Sequence, residues 1–168
     1  ENPLAPTKPG ELPTEIPAGD YDVVVFENRF PSLSMRMEVP EDSATEVDGE
    51  GLFPRRPALA RCEVVCFTPD VTSSFRDLPY HRARTVVEAW AHRTRELSEI
   101  DGVRLVFPFE NRGKEIGVTL QRPHGQIYSY PYLPARAAAI AERSKKHRAE
   151  TGRSLFDDVL AAEKRSGR

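Results

Sequence analysis

The chain has 168 residues, 39% of them hydrophobic and 30% charged, with a formal net charge of −2. That length suits one domain with a core of its own. The charge balance excludes a general affinity for nucleic acid or anionic membrane surfaces, and no apolar run approaches the roughly 20 residues of a membrane span. The chain opens on Glu1 rather than on methionine, so further residues are expected ahead of it.

Residues 1–20 are proline-rich, show no periodicity and read as an extended arm. "YDVVVF", 21–26, is a nearly continuous apolar run and a predicted strand; "ENRFPSLS" follows as a turn, and "MRME" alternates as a second strand. Residues 38–60 hold an acidic stretch and "FPRRP", which read as a mobile loop. "CEVVCF", 62–67, is the third strand. Its two cysteines, Cys62 and Cys66, would share a face about 13 Å apart at roughly 3.3 Å per residue. They cannot bridge each other at that distance, and they read as small buried residues of a reducing, cytoplasmic protein.

The clearest helix lies in "FRDLPYHRARTVVEAWAHRTRELSEI", 75–100, where Ala83, Val86, Val87, Trp90, Thr94 and Leu97 recur at helical spacing. Its arginines fall mainly on the other faces, and His81 and His92 read as surface or boundary positions. "VRLVFPFEN", "KEIGVTL" and "GQIYSYPYLP" are the fourth, fifth and sixth strands, and 135–149 and 154–165 are charged amphipathic helices. Strands dominate the middle and one long helix crosses them, so the fold class is α+β with a largely antiparallel sheet.

The chemistry concentrates around His124 in "RPHGQIY". Pro123 fixes the backbone ahead of it, and Gly125 would permit close approach by a ligand. A histidine held at a strand junction can serve as nucleophile, base or metal ligand, although a lone histidine is more often structural. Two polar turns at strand ends, "FENRF" at 26–30 and "FENRG" at 109–113, add groups that could face a ligand.

Together "FENRFPSLS", "RCEVVCFTPD", "FENRGKEIGVTLQRPHGQIYSYPYLP" and "SLFDDVLAAEKRSGR" resemble the N-terminal half of galactose-1-phosphate uridylyltransferase, a family of the histidine-triad superfamily. The resemblance runs from about residue 2 to 168 and implies a single histidine-triad-like domain over 1–168. Members are about twice this long, so the chain is expected to be a fragment or one subunit of a split enzyme. The resemblance implies double displacement, in which a histidine attacks the α-phosphorus of UDP-glucose, glucose 1-phosphate leaves, and a hexose 1-phosphate, expected to be galactose 1-phosphate, takes the UMP. It makes His124 the nucleophile, held through its other ring nitrogen by the Arg122 carbonyl. It makes Gln126 the neighbour that favours transfer, because an amide cannot act as an acid at neutral pH, whereas related hydrolases carry a histidine there. Asn111 corresponds to an asparagine near the phosphates, Asn28, Arg29 and Phe30 to the nucleoside-binding turn, and Thr119 to a hydroxyl residue near the phosphate. For Phe30, plain core packing is an equal alternative.

Many members hold a structural zinc, and here its four ligand positions correspond to Asn2, Ala5, Val71 and Arg122. Alanine and valine offer no donor and arginine stays protonated, so no zinc and no other cofactor is expected. Arg122 is expected to take over part of the metal's charge, pairing with an acid such as Asp70 or bracing the N-terminal arm. A glutamate of a second metal site corresponds to Ile140, which argues against that site too. The expected partners are UDP-glucose, a hexose 1-phosphate, and either a second copy in a homodimer or a chain carrying the other half, with neither nucleic acid nor membrane. An inactive nucleotide-sugar-binding subunit is the alternative from another class, a relative working on ADP-sugars or phosphate shares most of the motifs, and a hydrolase is the least favoured because of Gln126.

Overall fold

The computed structural model describes residues 3–10, 12–39, 45–113, 115 and 122–167. The chain divides into two compact units, Glu1–Pro131 and Tyr132–Arg168. In the first, four strands form an antiparallel sheet: β1 (Val24–Glu27), β4 (Cys62–Cys66), β6 (His124–Tyr130) and β5 (Leu105–Phe109), in that order across the sheet. The α+β class and the antiparallel sheet expected from the sequence are therefore present.

Strand register sorts the side chains onto two faces, since directly paired residues of an antiparallel ladder point the same way. Val25 pairs with Val65 and Val65 with Gly125, while Glu63 pairs with Ile127. This face receives helix α1 (Tyr80–Ser98), and Val65, Phe67, Val86, Leu97 and Ile127 form the fully buried core, edged by Phe75 and Trp90. Phe67 meets Phe75 and Trp90 edge-on at 5.5 and 5.8 Å, an arrangement aromatic quadrupoles favour. Within the apolar stripe of α1, Val87 is exposed, while Arg93 turns inward. Its guanidinium grips the buried Glu63 carboxylate through two bonds of 2.8 Å, and Arg61 adds a third at 2.9 Å. His81 and His92 lie exposed on this helix, as their positions led one to expect.

The opposite face is partly roofed by the N-terminal segment. Residues 3–10 and 12–16 double back instead of simply extending: Pro6 bridges Ile16, and Thr7 and Thr14 bond each other and the Ile16 carbonyl. The reason is burial, because Leu4 and Ile16 pack against Val64 and Cys66 with Tyr21, Val24 and Phe26 alongside. The expected strand at 35–38 is a turn at 35–36 followed by irregular chain, and its alternation finds no partner strand among the described residues. The expected loop at 38–60 contains a hairpin, β2 (Glu46–Val47) with β3 (Glu50–Pro54), whose turn residues Asp48 and Gly49 both take positive φ. The expected strand over 114–120 lies outside the described residues, apart from Glu115.

The second unit is a helix pair, α2 (Ala135–Thr151) and α3 (Leu155–Ser166). Gly152 closes α2 in the left-handed conformation and Ser154 caps α3, the usual stop and start chemistry. Asp158 joins them by accepting from His147 Nε2 at 2.7 Å and from Arg153. No helix among the described residues is long and apolar enough to cross a membrane.

Candidate functional site

The face opposite α1 carries the polar residues in rows. Val24, Cys66 and His124 form one row; Phe26, Val64, Gln126 and Phe109 form the next; Cys62, Tyr128 and Phe107 form the third. Along β6 the odd residues Gly125, Ile127 and Ser129 are buried while His124, Gln126, Tyr128 and Tyr130 are only partly covered. Gly125 faces the core side, and a Cβ there would come within 2.8 Å of the Phe109 carbonyl and 2.9 Å of Phe67 Cζ. The glycine is thus required by packing under the strand, not by a ligand above it, which corrects the sequence reading.

His124 opens β6, and its Nδ1 lies 2.8 Å from the Arg122 carbonyl. A carbonyl only accepts, so Nδ1 carries the proton, and in the neutral ring Nε2 keeps its lone pair. Two residues on, Gln126 Oε1 accepts from Asn28 Nδ2 at 3.3 Å, which leaves the Gln126 amide nitrogen as a donor. Asn28 is itself fixed at both ends: its N–H donates to the Cys62 carbonyl at 2.8 Å, and its Oδ1 accepts from the Phe30 N–H at 2.9 Å. That side-chain turn is what asparagine supplies best. It throws Phe30 outward, 84% exposed, so core packing does not explain this residue. Arg29 pairs with Glu15 of the N-terminal segment at 3.1 Å and lies 5.8 Å from the Phe30 ring centre.

Asn111 is exposed just past β5. Because Phe109 pairs with Gln126, Asn111 would fall opposite His124 if the ladder ran on. The structure therefore brings His124, Gln126, Asn28 and Phe30 to one face, puts Asn111 at the same sheet end, and turns Arg29 toward Glu15. Thr119 lies outside the described residues.

The comparisons with known proteins bear on what this face belongs to. The family model for the galactose-1-phosphate uridyl transferase N-terminal domain matches residues 1–134. The chain belongs to that family. It is 48% identical over 162 residues to a galactose-1-phosphate uridylyltransferase of Streptomyces lividans, covering 96% of this chain and 39% of the relative. It is 39% identical to the enzyme of the same name from Thermotoga maritima, covering 91% of this chain and 45% of the relative. A solved uridylyltransferase structure superposes with a TM-score of 0.75 at 29% identity, covering 97% of this chain and 48% of that one. The chain thus spans less than half the length of these family relatives.

At the positions that the sequence resemblance assigns to zinc ligands, the described side chains offer no such donor set. Ala5 and Val71 end in carbon, and Val71 is about half exposed; Asn2 lies outside the described residues. Among the described residues no three His, Cys, Asp or Glu side chains stand close enough to share a metal ion. Arg122 contributes a cation where a cation would have to bind. These residues do not fit zinc. Ile140, at the other suggested metal position, is apolar and partly exposed on α2.

Arg122 is 5% exposed, and its Nη2 donates to the Pro69 carbonyl at 2.8 Å. The expected pairing with Asp70 is not what holds it. Asp70 Oδ1 instead accepts from the Thr72 N–H and hydroxyl, which lower its carboxyl, and Arg122 adds only a small further lowering. Among the described residues Tyr21 and Cys66 feel its charge; the sequence marks Cys66 only as a small buried residue and Tyr21 not at all. Burial pushes the Tyr21 phenol up to about 12 and the Cys66 thiol up to about 11, each opposed by the Arg122 charge. Cys66 is in register with His124 across the β4–β6 ladder.

Proposed function

We propose that this chain is the nucleophile-bearing half of a uridylyltransferase that moves UMP from UDP-glucose to a hexose 1-phosphate, with galactose 1-phosphate as the acceptor named in its relatives. The observation that carries this reading is the Nδ1 contact to the Arg122 carbonyl, which presents Nε2 with a free lone pair. In the proposed first step Nε2 attacks the α-phosphorus, the bond from that phosphorus to the bridging oxygen breaks, and glucose 1-phosphate leaves with the electron pair. In the second, a phosphate oxygen of the acceptor attacks the same phosphorus and the histidine leaves. Gln126, steered by Asn28, donates to a phosphoryl oxygen and offers no proton relay to water. Phe30 stacks on the base, and Asn111 and Thr119 serve the phosphates. The reaction uses no zinc at positions 2, 5, 71 and 122. A second copy of the chain, or a chain carrying the other half, completes the assembly.

The test is intact mass after mixing with UDP-glucose, with His124→Ala alongside. A gain of one uridylyl group, absent in His124→Ala and discharged by galactose 1-phosphate, is the expected result. A stable adduct that galactose 1-phosphate does not discharge would keep the nucleophile and replace the acceptor. UDP-glucose binding with no adduct would leave a nucleotide-sugar-binding subunit instead.

A further inference from the structure

The segment that presents His124 is laced to the chain leaving β4 by two bonds from opposite sides. The Phe67 N–H donates to the Pro123 carbonyl at 3.0 Å, and Arg122 Nη2 donates to the Pro69 carbonyl at 2.8 Å. Between them sits the peptide unit whose oxygen accepts from His124 Nδ1. Pro123 has a fixed φ, so the direction of that oxygen depends on what holds residue 122 itself. Arg122 is a costly way to hold it. Its guanidinium is buried beside the Tyr21 hydroxyl, and Nε and Nη1 make no hydrogen bond of good geometry among the described residues. A buried cation with unpaired donors is disfavoured in general, because it loses its hydration without full replacement. A neutral or apolar residue would pack here at lower cost if packing were all that mattered.

Building on the reading of His124 as the nucleophile, we propose that Arg122 is a positioning residue for it. The guanidinium, standing where the family's zinc ligand would be, ties residue 122 to the Pro69 carbonyl and so aims the Arg122 carbonyl at Nδ1. The tie runs from one residue's side chain, through its own main chain, to the histidine two residues on. Its chemical effect is to keep the proton on Nδ1 and the lone pair on Nε2. Without the tie the carbonyl swings away, and the ring relaxes toward the Nε2–H form, which has no lone pair where the phosphorus must be attacked. The structural role of a metal is replaced by a hydrogen-bonded cation, with Tyr21 and Cys66 kept neutral around it.

The experiment is nitrogen-15 histidine NMR of the ligand-free chain, parent against Arg122→Met, Arg122→Gln and Arg122→Lys. The parent should show His124 as a single Nδ1–H tautomer. Methionine fills the stem's volume without a donor, and glutamine is polar but too short to reach Pro69; both should show a mixture rich in Nε2–H. Lysine can still donate to the Pro69 carbonyl and should restore the Nδ1–H form. Glutamine supplies the loss readout even where the methionine variant does not fold. In parallel, single-turnover adduct formation should slow roughly 100-fold in the loss variants, while UDP-glucose affinity stays within about threefold because binding groups are untouched. A folded loss variant with a pure Nδ1–H tautomer, or a lysine variant that loses it, would overturn the proposal. The tautomer needs no turnover, so a parent that forms no adduct refutes the transferase reading alone.

Discussion

Gly125→Ala tests whether the strand that carries His124 is seated as tightly as the geometry implies. Gly125 has no positive φ, so the added methyl brings no backbone strain of its own; the whole cost is steric. The new Cβ would stand 2.8 Å from the Phe109 carbonyl oxygen, 2.9 Å from Phe67 Cζ and 3.3 Å from Phe67 Cε1. Carbon atoms prefer about 3.5–4.0 Å, so something must move by more than half an ångström. Phe67 has nowhere to go, being fully buried and edge-on against the stacked pair of Phe75 and Trp90. The Phe109 carbonyl belongs to β5, paired across the ladder with β6 itself. Overpacking of this kind costs about 1–3 kcal/mol, and two immobile neighbours put it near the top. The alanine recovers up to about 1 kcal/mol by restricting the unfolded chain. The expected net loss is about 2 kcal/mol, or a fall of roughly 4–8 °C in Tm. Trp90 is the sole tryptophan and packs on Phe67, so its fluorescence in a urea titration reports the affected core directly. A midpoint shift at constant slope is the expected form. Phe67→Leu removes the obstructing ring, and in that background Gly125→Ala should cost at least 1 kcal/mol less. A single variant within 0.5 kcal/mol of the parent, or an equal cost in both backgrounds, would refute the reasoning.

Glu63→Gln should be among the more damaging isosteric changes, at about 3 kcal/mol, because the carboxylate is 2% exposed and answers both Arg93 and Arg61; in urea unfolding, a Glu63→Leu, Arg93→Leu pair should lie closer to the parent than either single change. Phe30→Ala should leave Tm unaltered, since the ring is exposed, while calorimetry shows UDP-glucose affinity falling roughly tenfold from lost stacking; an unchanged affinity would remove Phe30 from the site. Gln126→His should shorten the life of the uridylyl adduct in acceptor-free buffer by roughly tenfold or more, because an imidazole can pass a proton to water; an adduct of unchanged life would mean that the glutamine does not protect it. Alkaline titration should destabilise the fold steeply. Cys66 ionises near 9 when unfolded and near 11 when folded, so between those values the folded chain holds the extra proton. Its contribution is complete below pH 9 and is lost as pH rises toward 11, by about 2–3 kcal/mol, and Cys66→Ala should flatten that part of the curve.

What the sequence made legible follows the size of the signal. Helix α1 could be read because Val86, Trp90 and Leu97 repeat over about three turns and point into one core. Arg93 escaped the pattern because its partner, Glu63, lies 30 residues away, and only tertiary pairing turns a charged position inward. The β2–β3 hairpin escaped for the opposite reason. Every residue of β3 is exposed, so no core-facing alternation exists to be read. The available cue was the Asp48–Gly49 pair, whose positive φ values suit a two-residue hairpin turn. "MRME" shows the reverse error, an alternation that forms no strand because none among the described residues pairs with it. At the site, the motif around His124 supplied the residue types and their roles by resemblance, but no spacing rule reveals that Arg122 is buried.

Gly125 and Gln126 show how far the two faces of one strand can be separated. They are adjacent in sequence, and both pair with residues of β4, yet they belong to different problems. Gly125 answers to Phe67 and the core under the sheet; Gln126 answers to Asn28 and the open face above it. Period-two alternation makes this division unavoidable, since a one-residue slip would bury the glutamine and expose the glycine. It follows that a change at 125 should be read first in stability, with adduct chemistry failing in proportion as the strand shifts. A change at 126 should be read in the fate of the adduct, with the unfolding midpoint untouched. If both positions gave the same mixture of effects, the sheet would not be insulating its chemistry from its packing, and the assignment of His124 and Gln126 to an independent functional face would fail with it.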